Sequence, residues 1–83
     1  MLEKDILVTL ENGLHARPAA ELVKKVRHYS CHINLEVNRR KYDVKSILGL
    51  MSASIKEGDQ VKISTDGEDE EEAMKWISEF LGN

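Results

Sequence analysis

The chain has 83 residues, room for one small domain that buries only about 60 to 65% of its unfolded surface, so a large enclosed substrate cavity is not expected. Hydrophobic residues make up 41% and charged residues 33%, which separates the chain from disordered or low-complexity sequences and implies a densely charged surface. Its 12 Lys and Arg against 15 Asp and Glu give a net charge of −3, with acid concentrated in Glu68-Asp69-Glu70-Glu71-Glu72, so direct nucleic-acid binding is disfavoured.

The segment Met1-Leu2-Glu3-Lys4-Asp5 has no basic stretch followed by an apolar signal core, and no apolar run approaches the roughly 20 residues that span a bilayer. A cytoplasmic protein without membrane insertion is expected. Ile6, Val8 and Leu10 alternate with Leu7, Thr9 and Glu11, predicting a first strand that Asn12-Gly13 ends. In Gly13-Leu14-His15-Ala16-Arg17-Pro18-Ala19 a strand pattern gives way to a helix pattern. Pro18 suits a first helical turn, because its missing N–H has no partner there and its φ is already helical. From Pro18 onwards Ala19, Leu22, Val23 and Val26 recur at helical spacing, with Glu21, Lys24, Lys25 and Arg27 on the other surface.

His28, Cys31 and His32 straddle the end of that helix pattern with no evident fourth ligand, so no metal site is expected. The single cysteine excludes an intrachain disulfide and agrees with a reducing compartment. Ile33, Leu35 and Val37 alternate with polar residues, and a short run at Lys41-Tyr42-Asp43-Val44 completes a hairpin across Asn38-Arg39-Arg40. Ser46 can cap a short helix in which Ile47, Leu48 and Met51 share a surface, with Ile47 and Leu48 partly exposed. Lys56-Glu57-Gly58-Asp59 forms a turn, Val61 and Ile63 mark a last strand, and Asp66-Gly67-Glu68-Asp69 breaks it. Ala73, Trp76, Ile77, Phe80 and Leu81 form the apolar stripe of a final helix, with Trp76 and Phe80 as core residues. The order βαββαβα argues for an α+β open-faced sandwich: a four-stranded antiparallel sheet with three helices on one face, and the other face wet. With no linker and no internal repeat, residues 1–83 read as one domain.

His15 lies just ahead of a helix start, where unpaired amides and a partial positive charge favour an anion, and Arg17 adds a planar fork of donors shaped for phosphate oxygens. A neutral imidazole can attack phosphorus and give a phosphoramidate that donates well, so the constellation suits a phosphoryl relay. Nothing in the chain binds ATP: there is no Walker-type glycine loop and no carboxylate pair placed for magnesium, so no cofactor is expected and another protein must bring the donor.

The Gly13 to Ala19 segment resembles the active-site segment of HPr, the histidine-containing phosphocarrier family of the bacterial sugar phosphotransferase system. Lys45-Ser46-Ile47-Leu48-Gly49-Leu50-Met51-Ser52 resembles its second signature, and the resemblance covers essentially the whole chain. It implies the open-faced sandwich. It implies that enzyme I, charged by phosphoenolpyruvate, phosphorylates His15, that Nδ1 carries the phosphate, and that A-type domains of enzyme II permeases accept it. An apolar patch of Ile47, Leu48 and Met51 near His15, rimmed by Arg17, Lys24 and Arg27, offers these acidic partners a contact surface. In Gram-positive relatives an HPr kinase/phosphorylase modifies the serine matched by Ser46, and the product is corepressor of a catabolite-control transcription factor. Leu48 replaces a methionine often found in relatives, and Ser54 stands where many have glycine. A carrier of this kind is not itself an enzyme and is expected to be monomeric. The alternatives are a regulatory paralogue acting through Ser46, and a specialised paralogue serving nitrogen signalling or a dihydroxyacetone-kinase subunit. Retention of His15 with Arg17 and Pro18 favours transfer, because a regulatory paralogue can lack that histidine.

Overall fold

Alternating and helical apolar spacings become four strands and three helices in a computed structural model that describes residues 1–82. In chain order they are β1 (Leu2–Leu7), α1 (Ala16–Val26), β2 (His32–Val37), β3 (Arg40–Asp43), α2 (Ile47–Ala53), β4 (Gln60–Asp66) and α3 (Glu70–Leu81). The strands form one antiparallel sheet in the order β1-β4-β2-β3. Ile6, Val61, Ile63, Ile33, Leu35 and Val37 point to one face and are buried there. The helices cover that face with Ala19, Leu22, Val23 and Val26 from α1, Leu50 and Ala53 from α2, and Ala73, Ile77 and Leu81 from α3. The expected open-faced sandwich is the fold observed.

The uncovered face is organised by charge. Asp5 pairs in register with Lys62, Lys62 with Glu36, and Glu36 with Lys41, so one row of alternating sign crosses all four strands. Opposite charges on directly facing positions favour this register over a one-residue slip, which would also turn the apolar set outward.

The structure moves several expected boundaries. The first strand was expected over Ile6 to Glu11 but runs from Leu2 to Leu7, because β4 begins at Gln60 and offers no partner beyond Leu7. Val8 stays buried by a different route: its N–H donates to the Asp59 carbonyl at 2.9 Å and its carbonyl accepts from Gly58 N–H at 2.8 Å. Helix α1 starts at Ala16, two residues before Pro18, which still falls in the first turn, where a missing N–H is harmless. On α3 the buried line is Ala73, Met74, Ile77, Ser78 and Leu81, whereas Trp76 and Phe80 lie half-buried on its flank with stacked rings, centroids 4.9 Å apart. Smaller or flexible side chains let the helix approach the sheet, and the aromatics close the rim. Ser78 is tolerated inside because its hydroxyl donates to the Met74 carbonyl at 2.7 Å.

Asp69 ties the start of α3 to the entry of β2. Its carboxylate accepts from Ser30 N–H at 2.8 Å and from Cys31 N–H at 2.9 Å, and these bonds, the one from Ser30 foremost, hold its pKa below the usual carboxylate value. Burial, together with a hydrogen bond to Asp69 and its negative charge, pushes the Cys31 thiol up to about 11. Cys31 is thus a buried thiol protonated at neutral pH, while His28 and His32 are exposed.

The β2–β3 hairpin begins its return strand at Arg40, one residue earlier than expected, opposite Val37. That leaves a two-residue turn with φ of 53° at Asn38 and 67° at Arg39, the twist-compatible type I′ geometry. Asn tolerates the left-handed region; Arg39 does so at a cost. Arg39→Gly is expected to raise stability by about 0.5 to 1 kcal/mol, read as a higher urea midpoint at unchanged m-value.

Candidate functional site

The loop from β1 to α1 owes its path to Asn12 and Gly13, both left-handed with φ of 66° and 73°. Gly13 is pressed onto the segment after α2 so closely that a β-carbon there would lie 2.5 Å from the Ile55 carbonyl oxygen and 2.6 Å from the Lys56 α-carbon. The next residue continues the contact. Leu14 is buried and its N–H donates to the Ile55 carbonyl at 3.0 Å. His15 follows in extended conformation as the N-cap of α1, and its carbonyl accepts from Ala19 N–H at 2.9 Å.

The imidazole of His15 makes no capping hydrogen bond and is exposed, as are Ala16 and Arg17, while Pro18 is half-buried. The first turn of α1 contains no acidic residue, and its last turn carries Lys24 and Lys25. An incoming anion therefore meets unpaired amides and the Arg17 guanidinium without a competing carboxylate on that turn.

Ser46 caps α2: its hydroxyl oxygen accepts from Gly49 N–H at 3.1 Å and its carbonyl from Leu50 N–H at 3.0 Å. The helix ends at Ser54, left-handed with φ of 52°, in the conformation that glycine adopts most readily. Leu50 and Ala53 face the core, Ile47 is half-buried, and Leu48 and Met51 are 80% and 42% exposed. Leu48 is thus more open than expected, because Leu50 takes the inward position.

Helices α1 and α2 lie against each other, running in opposite directions. At one end the Leu14 to Ile55 bond joins the start of α1 to the exit of α2; at the other, Arg27 Nε donates to the Lys45 carbonyl at 3.3 Å and Lys45 Nζ to the Tyr29 carbonyl at 2.7 Å. An open groove of about 450 Å³ between them is lined by Ala20, Val23, Lys24, Arg27, His28 and Ile47. The structure thus brings Lys24, Arg27 and Ile47 together, with Leu48 and Met51 on the exposed side of α2. It does not bring Arg27 to His15. The length of α1, from its N-cap His15 to its C-cap Arg27, separates them by about 18 Å, and Arg27 stands instead beside the Ser46 end. Ile55, on which the His15 loop is seated, carried no functional signal in the sequence; the adjoining Asn12-Gly13 pair was the only hint of a close approach.

Residues 2–83 match the family model described as "PTS HPr component phosphorylation site". The chain belongs to the HPr family. It is 41% identical over 81 residues to the HPr-like protein Crh of Halalkalibacterium halodurans, covering 98% of this chain and 96% of that one. It is 37% identical over 83 residues to the phosphocarrier protein HPr of Xylella fastidiosa, covering 100% and 93%. Among solved structures, HPr from Bacillus anthracis superposes with a TM-score of 0.94 at 36% identity, covering 96% of this chain and 95% of that one. Membership in the HPr family brings with it a phosphocarrier role.

Gly13→Ala is expected to lose roughly 1 to 3 kcal/mol of stability, because the methyl group must displace the Ile55–Lys56 backbone in addition to straining φ. Thermal or urea unfolding of the variant measures this.

Proposed function

We propose that this HPr-family chain carries phosphoryl groups on His15 as a single-domain, monomeric cytoplasmic protein, taking them from enzyme I and passing them to A-type domains of enzyme II. The supporting observation is the exposed, uncapped imidazole of His15 at the N-cap of α1, with Arg17 in a first turn free of acid. No helix among the described residues is long and apolar enough to cross a membrane.

In the transfer, a ring-nitrogen lone pair of neutral His15 attacks phosphorus, an N–P bond forms, and the donor atom leaves with the electron pair of the broken bond. Arg17 and the first amides of α1 balance the charge of the phosphoryl oxygens in transit. The second transfer reverses these roles: the acceptor attacks, and the electron pair of the N–P bond returns to the imidazole. Arg17 and the amides are exposed, so their hold on the group is weak enough to permit release. Lys24, Arg27, Ile47, Leu48 and Met51 form the surface on which acidic, apolar partners dock.

Phosphorylation of Ser46 by an HPr kinase/phosphorylase regulates this surface in the same reading. The likeness to an HPr-like protein named Crh favours a second reading, a regulatory paralogue that works through Ser46 and a catabolite-control transcription factor. His15 separates the two, since a purely regulatory module has no need of the histidine.

Incubation with enzyme I and phosphoenolpyruvate should place an acid-labile phosphate on His15, located by mass spectrometry, and His15→Ala should abolish it while leaving the circular dichroism spectrum unchanged. Label retained by the folded variant would sink the carrier assignment. Leu48→Asp should weaken calorimetric binding to enzyme I by about tenfold or more, since docking would bury a carboxylate at an apolar contact, yet leave the fold intact because Leu48 is 80% exposed.

A further inference from the structure

We propose that Arg27 is the internal counter-ion of a phosphate on Ser46, and that forming this pair withdraws Arg27 from the groove between α1 and α2. The proposal rests on the reading of Ser46 as a modification site and names how its modification reaches the docking surface. The end of the helix pair that holds Ser46 is tightly stitched. Lys45 N–H donates to Asp43 Oδ1 at 2.9 Å, Ser46 N–H donates to the Asp43 carbonyl at 3.0 Å, and Lys45 Nζ is occupied by the Tyr29 carbonyl at 2.7 Å. Arg27 is bound more loosely. Its Nε reaches the Lys45 carbonyl at 3.3 Å, which sets the guanidinium against the peptide that joins Lys45 to Ser46.

This single neutral contact uses one of five guanidinium donors. Once the Ser46 oxygen has exchanged its proton for a phosphoryl group, the neighbouring position presents three strong acceptor oxygens and about −1.5 to −2 charges. A planar fork meets such a group in bidentate fashion, with bonds roughly twice as strong as a neutral one. The other charged groups nearby do not compete. Lys45 Nζ spends one of its three donors on a short, part-buried bond that anchors it at the Tyr29 carbonyl, the Asp43 carboxylate is spent on Lys45 N–H and repels the phosphate, and His28 lines the groove one residue beyond Arg27.

Arg27 also lines the groove, so the phosphate acts there twice: it adds negative charge and cancels a positive one. Loss of attraction therefore joins repulsion in weakening an acidic partner. The two effects have different signatures in a double-mutant comparison, because a charge already neutralised cannot be removed again.

Protein bearing phosphoserine at position 46, installed during synthesis so that no kinase is needed, provides the test. In a His28→Gln background, phosphorus NMR should show the second ionisation of the phosphate about half a unit lower with Arg27 present than in Arg27→Gln, with Arg27→Lys in between. Lys45→Met should leave the ionisation near the parent value. Circular dichroism confirms folding, and Arg27→Gln keeps part of the packing stem that Arg27→Ala would lose. Equal ionisation with and without Arg27 overturns the ion pair. For enzyme I, Arg27→Gln should weaken binding several-fold in unmodified protein and by a factor near one in phosphorylated protein; an equal loss in both overturns the withdrawal. If unmodified protein fails to bind enzyme I, the carrier reading fails, and the NMR comparison still decides the pair.

Discussion

Ile6, Val61, Ile63, Leu35 and Ile33 present their apolar side chains to a single face of the sheet, and that face must be taken out of water for any of the rest to persist. Three helices do this, each with one inward stripe. Their outward surfaces are thereby free of any packing duty. Every residue assigned a role in transfer, docking or regulation lies on α1, on α2 or at their ends. The scaffold fixes those positions to within the precision of close packing, while the side chains that would meet a partner remain exposed.

Antiparallel packing of α1 and α2 has a functional corollary. His15 begins one helix and Ser46 caps the other, so the proposed phosphoryl carrier and the proposed regulatory serine stand at opposite ends of the pair. Direct contact between phosphates on both is excluded by the length of α1. What they share is the surface between them, through Lys24, Arg27, Ile47, Leu48 and Met51. In the proposed reading, modification of Ser46 would act on docking, at the far end of the helix pair from the imidazole.

Much of this was legible in the residues. The spacing of Ala19, Leu22, Val23 and Val26 defined the inner face of α1 without error, and the serine ahead of Ile47 is the cap it was expected to be. Local rules suffice there because an amphipathic helix and an N-cap depend on neighbours within a turn. The extent of β1 is not legible in its own residues, because a strand ends where its partner does, and Gln60 is far along the chain. The apolar stripe of α3 points to Trp76 and Phe80 as core, yet they lie on its flank, because periodicity fixes a stripe's repeat but not its rotation toward the sheet. The seat of the His15 loop on Ile55, and the distance between His15 and Arg27, depend on how two helices lie side by side, which no single stretch of sequence encodes.

The alternating row on the uncovered face has a reach beyond strand register. Asp5 and Glu36 are there matched by Lys62 and Lys41, but the neighbouring outward positions add Glu3, Asp43 and Asp66 without further lysine or arginine. That face is consequently acidic on balance, whereas the outward side of the α1–α2 pair carries Arg17, Lys24 and Arg27. Positive charge is thus concentrated at the α1–α2 pair, while the bare sheet and the first turn of α3, Glu70 to Glu72, are negative. An acidic surface approaching the protein is attracted by the α1–α2 pair and repelled by the bare sheet and the start of α3. That bias acts within about a Debye length, about 8 Å at physiological salt. The same charge distribution that holds strand register on one side therefore favours encounters through the helix pair on the other.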